Sequence, residues 1–437
     1  KGDYDGGWEH FSQDMLDYCV QDTHTGAEIY RVLKDKVPTK QIEGPTETRT
    51  AFQVETLFAA QLGTQERRGT PMDFDSADEL LLELTDRKVY LEEEIQKIFP
   101  PLKRPYKPYK SGKPRLMPCP IRGGKHPEKL IPFNPGSRQQ LAARLMKDRK
   151  WVPADLTKTG NPAMREDIMH DLGQIYPEVN LVSEYLIVSD RMGILSNSPS
   201  SYMKLVDDEG LIHGRCNHIG TVTHRCSHSK PNLGNVTSIR KPYGLRMREL
   251  FVPFDGFIQA GFDADGLELR MLAHYLAAWD DGEYGRAVHS GDKSKGTDPH
   301  SLHARAISQV VDCDRDTGKT ATYAFLYGAG DDKLGAIFGG RKKLGRAVRG
   351  ALRRNIPGLS DLLDTIEGQV RDRNKSHPLG GYLISLDGRR VGVRKSHAAL
   401  NSLLQTAGAV VMRYVPVYLE DILPSHGIRY GVDYIPT

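Results

Sequence analysis

A basic, proline-rich stretch between residues 100 and 135 most constrains how this chain can fold. Its prolines and cations alternate through Pro100, Pro101, Lys103, Arg104, Pro105, Lys107, Pro108, Lys110, Lys113, Pro114, Arg115, Pro118, Pro120 and Arg122. Proline cannot continue a helix, and so many charges cannot pack into a core. The stretch is therefore predicted not to be helical, and to be either a flexible arm against a nucleic-acid backbone or a linker.

Periodic patterns surround this stretch on both sides. Helical spacing of apolar residues predicts helices over 8–35, 50–98, 137–149, 166–196 and 276–375, and another beginning near Ser396. Strand-like runs occur over 205–275, 382–384 and 428–432. This order predicts an α+β fold in which a helical insertion interrupts a sheet region.

Composition excludes several classes of protein. The 437 residues correspond to about three domains. With 38% hydrophobic and 27% charged residues the chain reads as an ordinary globular protein, and its longest uncharged apolar run, Leu400–Met412, is too short for a membrane span. Five cysteines without a signal peptide indicate a reducing, cytoplasmic setting. The net charge is only +4, but the acid-free run 341–354 is either an anion-facing surface or a solvated helix face.

A row of side chains at four-residue spacing is the strongest chemical pattern in the chain. It comprises Arg315, Lys319, Tyr323 and Tyr327, and Gly328 follows it. Four residues turn an α-helix by about 400°, so these side chains share one face. Two cations followed by two rings suit the phosphates, sugar and base of a nucleoside triphosphate, and His300 could add a phosphate donor. The alternative is a half-buried face whose cations extend to water.

Two further patterns carry polar chemistry. The run Phe257–Arg270 predicts a strand that ends at Asp263 and a helix that starts after Gly266, which would present a carboxylate suited to Mg²⁺; helix capping is the plainer interpretation. His397, Asn401 and Gln405 share one helical face, where long amides could contact the minor groove or simply form interhelical hydrogen bonds.

These segments resemble motifs of the A-family DNA polymerases, related to DNA polymerase I, and most closely those of short-tailed bacteriophages. The Asp263 segment is similar to motif A and the row from Arg315 to Gly328 to motif B. Supporting stretches are 65–69, 133–138, 221–225, 231–233, 386–389 and 397–405. The likeness extends from about residue 8 to the end of the chain.

The resemblance implies a right-hand architecture of thumb, palm and fingers with a remnant of a 3′–5′ exonuclease domain. It divides the chain into an exonuclease remnant at 1–34, a thumb at 35–204 with a basic insert near 100–130, fingers at 276–400, and a palm formed by 205–275 and 401–437. The implied activity is template-directed transfer of deoxynucleotides (dNTPs) to a primer 3′ end by a two-metal mechanism, within viral genome replication in the cytoplasm of an infected bacterium. The expected partners are primer-template DNA and dNTPs, and no membrane is expected.

The resemblance also assigns roles to individual residues. Asp263 and the carbonyl of Ala264 would bind Mg²⁺, with two ions in the full-length enzyme. The triphosphate would be held by His300, Arg315 and Lys319, while Glu268 would exclude ribonucleotides and Tyr323 would govern tolerance of dideoxynucleotides. The template and primer would be contacted by Tyr327, Gly328, Arg225, His397, Asn401 and Gln405.

The sequence departs from the family pattern in three respects. The family's motif C, which supplies a second metal-binding aspartate, is not found before Thr437, so the chain is expected to be a fragment that polymerises poorly. Tyr18 and Asp22 resemble only the last exonuclease motif. The thumb insert that recruits thioredoxin in phage relatives is reduced to the basic stretch, which leaves a processivity factor uncertain. The alternative function is a non-catalytic primer-template DNA-binding protein derived from a polymerase.

Overall fold

The structure, a computed structural model, describes residues 11–106, 117–118, 125–126, 128–157, 159–376, 380–393 and 395–428. The α-helices of this part are α1 (Gln13–Leu33), α2 (Ala51–Arg68), α3 (Phe74–Ile98), α4 (Arg138–Asp148), α5 (Glu166–Ile175), α6 (Glu178–Met192), α7 (Tyr202–Leu205), α8 (Gly244–Glu249), α9 (Leu267–Asp280), α10 (Glu283–Ser290), α11 (Pro299–Ser308), α12 (Arg315–Leu326), α13 (Asp331–Ala336), α14 (Lys342–Asn355), α15 (Leu359–Ser376) and α16 (Ala399–Ser425).

The strands are short. They are β1 (Gln41–Glu43), β2 (Thr48–Thr50), β3 (Thr70–Pro71), β4 (Leu102–Pro105), β5 (Met117–Pro118), β6 (Lys125–His126), β7 (Glu128–Ile131), β8 (Leu211–Ile212), β9 (Arg215–Asn217), β10 (Ser227–Ser229), β11 (Tyr382–Ile384) and β12 (Arg390–Gly392). Antiparallel pairs join β1 to β2, β3 to β8, β4 to β7, β5 to β6, and β11 to β12. The helical predictions and the strand at 382–384 are confirmed, whereas the strand predicted over 428–432 falls almost entirely outside the described residues.

The described residues divide into two compact units. Unit I contains the chain up to residue 64, residues 216–227 and residues from 261 onward, and unit II contains 65–215 and 228–260. In unit II, α3 packs along α6. The buried side chains of these helices include Leu80, Leu84, Leu91 and Ile95 of α3 and Val179, Val182 and Val188 of α6. Side chains three and four positions apart share a helix face, so this spacing gives α3 one continuous apolar stripe.

The basic, proline-rich stretch contains paired strands in its described parts. Strands β4 and β7 pair from Leu102 opposite Ile131 to Pro105 opposite Glu128, and β5 pairs with β6. The predicted absence of a helix agrees with the structure at these positions, whereas the strand pairing was not predicted. Proline is tolerated on edge strands, where no ladder partner needs its missing N–H.

The core of unit I is formed by helices α9 and α11 to α16. Its buried apolar side chains include Leu272 and Leu276 of α9, Phe325 of α12, Leu352 of α14 and Leu403 of α16. Helix α16 runs for 27 residues and buries positions on most of its turns. The core holds α9, α11 and α12 together, and these three helices carry the predicted site residues Glu268, His300, Arg315, Lys319 and Tyr323.

A buried ionic cluster in unit I fixes the loop that precedes Arg225. Arg413, only 2% exposed, forms an ion pair from Nε to Glu55 at 2.9 Å and donates from Nη2 to the carbonyls of His218 and His224. Glu55 also pairs with Arg389. A buried guanidinium is tolerated only when carboxylates and carbonyls satisfy it. The cluster therefore orders the 218–224 loop and positions Arg225.

Helices α11 and α12 make a close contact at Gly318. A Cβ added at this glycine would lie 2.9 Å from Cβ, 3.0 Å from Cα and 3.1 Å from the backbone nitrogen of Ala304. Backbone atoms cannot move aside as the end of a flexible side chain can. Glycine at 318 therefore sets the separation of the two helices.

Substitution Gly318→Ala is expected to lower the free energy of unfolding by about 1–3 kcal/mol, because the new methyl group overpacks the helix contact. Denaturant unfolding monitored by circular dichroism measures the change. Gly368→Ala is the matched control, since Gly368 lies on α15 with no atom within 4 Å of an added Cβ. The control is expected to leave stability unchanged or raise it by up to about 1 kcal/mol. Equal effects of the two substitutions would contradict the packing role.

Candidate active site

The row of cations and rings lies on α12, where the spacing predicted a helix. Asp314 caps the helix by accepting the Thr317 N–H at 2.7 Å. The rings of Tyr323 and Tyr327 stack with centroids 6.4 Å apart and an interplanar angle of 25°. The helix ends at Leu326, and the Tyr327 N–H still donates to the Tyr323 carbonyl at 2.9 Å. The two rings thus form one continuous surface at the carboxyl end of α12.

His300 lies against this surface from the neighbouring helix α11. Its ring centroid is 5.9 Å from that of Tyr323, and its buried Nδ1 has no hydrogen-bond partner among the described residues. Burial lowers the pKa of His300, and the positive charges of Arg315 and Lys319 lower it further. The imidazole is therefore neutral at neutral pH, next to two permanent cations.

Arg315 is held by a carboxylate at the start of α11. Its Nε and Nη2 donate to Asp298 Oδ1 at 3.1 and 2.9 Å, and the Asp298 side chain is 8% exposed. Burial opposes ionisation of Asp298, but hydrogen bonds from Arg315 and Ser301 outweigh it and lower its pKa to about 2. Lys319 is exposed one turn further along α12. The two cations therefore differ, since one is fixed and the other is mobile in water.

Glu268, on the first turn of α9, meets the other end of the row. Its Oε1 accepts a 2.8 Å hydrogen bond from the Tyr327 hydroxyl and lies 3.5 Å from Arg225 Nη2. Burial raises the pKa of Tyr327 to about 12, and the hydrogen bond to Glu268 contributes. Burial and the negative charges of Glu268 and Asp265 also raise the pKa of Tyr323. The Glu268 carboxylate is therefore close to the rings of both Tyr323 and Tyr327.

The segment that carries Asp263 is not a strand. Residues 257–264 lack strand structure and pair with no strand among the described residues; Ile258 and Phe262 are 91% and 86% exposed. The predicted strand was wrong because alternating apolar residues form a strand only where a partner supplies ladder hydrogen bonds. The predicted start of α9 after Gly266 is confirmed, and Gly266 has the positive φ of +60° that glycine adopts without strain. Asp263 itself is exposed and Ala264 is half-buried.

The donor set at Asp263 is compatible with binding of Mg²⁺. No group of three or more potential ligands from His, Cys, Asp and Glu occurs within the part of the chain that the structure describes. Mg²⁺ requires only one or two carboxylates, with water and phosphate oxygens for the remaining positions. An exposed carboxylate with a neighbouring backbone carbonyl fits that requirement.

The predicted minor-groove residues lie at the start of α16. His397 is exposed in a short 3₁₀ segment, and Asn401 and Gln405 follow on α16 as half-buried positions flanked by buried residues. The His397 carbonyl lies 3.5 Å from where a Cβ would be at Gly328. Gly328, with φ of +73°, therefore brings the end of the α12 row close to this segment.

Tyr18 and Asp22 lie one turn apart on α1, whose residues are all exposed or half-exposed. Tyr18 is 59% exposed. This geometry does not test the exonuclease interpretation of the pair, which stays a prediction.

Sequence reasoning missed Asp298. The residue caps α11 by accepting the His300 N–H at 3.1 Å, and proline follows it at the first helical position. An Asp-Pro pair is typical of a helix start, so the cap could have been predicted from the sequence. Its pairing with Arg315, 17 residues later, depends on how α11 packs against α12.

Comparisons with known proteins agree with this geometry. The model of DNA polymerase family A matches residues 125–431. The DNA-directed DNA polymerase of Enterobacteria phage T3 is 30% identical over 500 residues, covering 98% of this chain and 69% of that protein. The corresponding enzyme of Escherichia phage T7 is 31% identical over 501 residues with the same coverage. The chain therefore belongs to DNA polymerase family A, as its motifs predicted.

A solved structure extends the comparison to the fold. It is described as the POL domain of Pol1 from M. smegmatis in complex with DNA primer-template and dNTP. Its TM-score is 0.63 at 21% identity, and the match covers 86% of this chain and 61% of that chain. The predicted α+β polymerase fold is thereby confirmed. Among the described helices, none has the length and apolar character needed to cross a bilayer.

Proposed function

We propose that this chain is a template-directed DNA polymerase that transfers deoxynucleotides to a primer 3′ end. The observation that carries the proposal is the order of groups along α12, where Arg315 and Lys319 precede the stacked rings of Tyr323 and Tyr327. A nucleoside triphosphate has the same polarity, with anionic phosphates at one end and a flat base at the other. His300, neutral and against Tyr323, adds an N–H donor at the boundary between the two regions.

The sugar of a bound nucleotide would lie near Glu268. This carboxylate is tied to Tyr327, at the ring end of the row, and would lie beside the ribose 2′ position. A 2′ hydroxyl would meet an acceptor already hydrogen-bonded to Tyr327, so a ribonucleotide would clash or leave a polar group unpaired. Tyr323, whose ring lies between those of His300 and Tyr327, would face the 3′ position and permit dideoxynucleotides.

Mg²⁺ would be bound by the Asp263 carboxylate and the Ala264 carbonyl. When bound, a pair of such ions supplies activation of the primer hydroxyl and neutralises charge on the departing pyrophosphate. Asp263 is exposed at the start of the segment that leads to Glu268, so a phosphate-bound metal could reach it. The contribution of the chain is to hold the triphosphate through Arg315, Lys319 and His300 while the metal binds at Asp263.

Primer and template would follow the surface that continues from the row. Tyr327 and Gly328 would lie beside the templating base, and Arg225, held next to Glu268, would reach the adjacent minor groove. His397, Asn401 and Gln405 would extend that contact along α16. The assignments of thumb, palm, fingers and exonuclease remnant, and replication of a phage genome in an infected bacterium, belong to the same proposal.

Templated nucleotide binding tests this function directly. The 437-residue chain is mixed with primer-template whose primer ends in a dideoxynucleotide, so that binding is measured without extension. We expect the dNTP that pairs with the template base to bind at least about 10-fold more tightly than the other three, a difference of about 1.4 kcal/mol. Fluorescence of a labelled template measures the affinity.

Changing the templating base is the internal control, because the preferred dNTP must change with it. A non-catalytic DNA-binding protein would bind the primer-template but show the same weak affinity for all four nucleotides. That result would contradict the proposal and favour the alternative function.

A further inference from the structure

We propose that Asp298 is a positioning residue for nucleotide binding, which holds Arg315 and His300 in register with each other. The inference rests on the proposed function, because it assigns a purpose to the groups that would bind the triphosphate. Neither the motif spacing nor the family comparison assigns a role to this residue.

The Asp298 carboxylate connects both groups at once. Its Oδ1 accepts from Arg315 Nε at 3.1 Å and Nη2 at 2.9 Å, and its Oδ2 accepts from Nε at 3.3 Å. The same Oδ1 accepts the backbone N–H of His300 at 3.1 Å, and Oδ2 accepts the Ser301 hydroxyl. One carboxylate therefore sets the start of α11, which carries His300, relative to the guanidinium on α12.

The pairing leaves the binding edge of Arg315 free for phosphate. A guanidinium has five N–H donors, and Asp298 uses those on Nε and one side of Nη2. The remaining edge carries Nη1, whose neighbour at 3.5 Å is the carboxylate of Asp316, 88% exposed. An ion pair so open to water is weak, so a phosphate can replace it. Asp298 thus holds one edge of the fork and leaves the opposite edge available to the ligand.

The Asp298 carboxylate stays ionised at neutral pH because hydrogen bonds from Arg315 and Ser301 lower its pKa, so its pair with Arg315 persists. Asp298 is 8% exposed on its side chain, while Arg315 is 28% exposed, so the carboxylate is largely shielded from solvent and the guanidinium is partly open. A long side chain that is already fixed loses less rotational freedom when it binds a ligand. Without its partner, Arg315 would sample water-exposed rotamers and bind phosphate less tightly.

A double-mutant cycle tests the proposal. Asp298→Asn removes the negative charge but retains a side-chain oxygen that can cap α11. In the dideoxy-terminated primer-template complex we expect Asp298→Asn to weaken binding of the correct dNTP about 10-fold, because a charge-assisted contact is lost. Affinity for the primer-template should remain unchanged, whereas a merely structural role of Asp298 would weaken binding of the primer-template and of the dNTP together.

The second arm of the cycle uses Arg315→Lys, because lysine cannot make the two-pronged contact. If Asp298 acts through Arg315, adding Asp298→Asn to Arg315→Lys should weaken dNTP binding by no more than about twofold further, since interacting residues are non-additive. Asp298→Ala, which also removes the cap, should weaken binding more and lower the thermal midpoint.

Each outcome decides the assignment. Full additivity in the cycle, or unchanged dNTP affinity in Asp298→Asn, overturns the positioning role. Absence of any preference for the correct dNTP in the unsubstituted chain contradicts the proposed function and this role with it. If Arg315→Lys weakens dNTP binding but Asp298→Asn does not, the proposed function is retained and only the positioning role of Asp298 is contradicted.

Discussion

Replacing Asp263 with asparagine is expected to weaken Mg²⁺-dependent binding of the correct dNTP by roughly 100-fold. The carboxylate would be the one protein anion in contact with a metal that also binds the triphosphate. Asparagine keeps the shape but loses the charge, and loss of such a contact corresponds to about 2.7 kcal/mol. The affinity is measured on the dideoxy-terminated primer-template complex at several Mg²⁺ concentrations.

Asp361→Asn is the matched control, because Asp361 is exposed on α15 of the same unit and lies outside the site. The control should retain the full dependence on Mg²⁺, whereas Asp263→Asn should bind dNTP almost independently of it. Affinity for the primer-template should be the same in both. Equal Mg²⁺ dependence in the two variants would show that Asp263 is not a metal ligand, and helix-start chemistry would then explain the segment.

The α12 row was readable from sequence because all of its information is local. Four-residue spacing places each side chain of the row beside the next one, with a drift of about 40° per step, and the stacked rings follow from that spacing. Family membership was readable for the same reason, since the motifs are short and contiguous. The comparisons confirm the family and the fold, and the residue roles stay predictions.

Features that depend on packing between distant segments were not readable. The pair of Asp298 and Arg315 forms only when α11 lies against α12, and that separation depends on the absence of a side chain at Gly318. The strand predicted before Asp263 was wrong for a related reason. Its alternating pattern was present, but a strand also needs a partner, which the pattern does not specify.

In the proline-rich stretch, composition excluded one kind of structure without predicting the kind that forms. Proline and charge content correctly excluded a helix but did not exclude strand pairing, because edge strands tolerate both. Local composition therefore predicts what a segment cannot be more reliably than what it becomes.

Glu268→Ala is expected to lower discrimination between deoxyribonucleotides and ribonucleotides by about 100-fold, the range that fit or exclusion of one small group supplies. The carboxylate is held by the Tyr327 hydroxyl at 2.8 Å and lies 3.5 Å from Arg225, so it cannot easily move away from a 2′ hydroxyl. Removing it opens that space. The affinities of one dNTP and its ribonucleotide counterpart, measured on the dideoxy-terminated complex, give the ratio.

Tyr327→Phe tests how much the hydrogen bond from the Tyr327 hydroxyl contributes to the role of the Glu268 carboxylate. This substitution keeps the ring beside the template but removes the hydroxyl that donates to Glu268, so the carboxylate gains freedom without being lost. We expect discrimination to fall less than in Glu268→Ala, because the carboxylate itself stays in place and Arg225 still lies beside it. The loss of discrimination in Glu268→Ala should come from tighter ribonucleotide binding, with dNTP affinity nearly constant. If both nucleotides instead weaken in parallel, Glu268 supports the site as a whole and does not select the sugar.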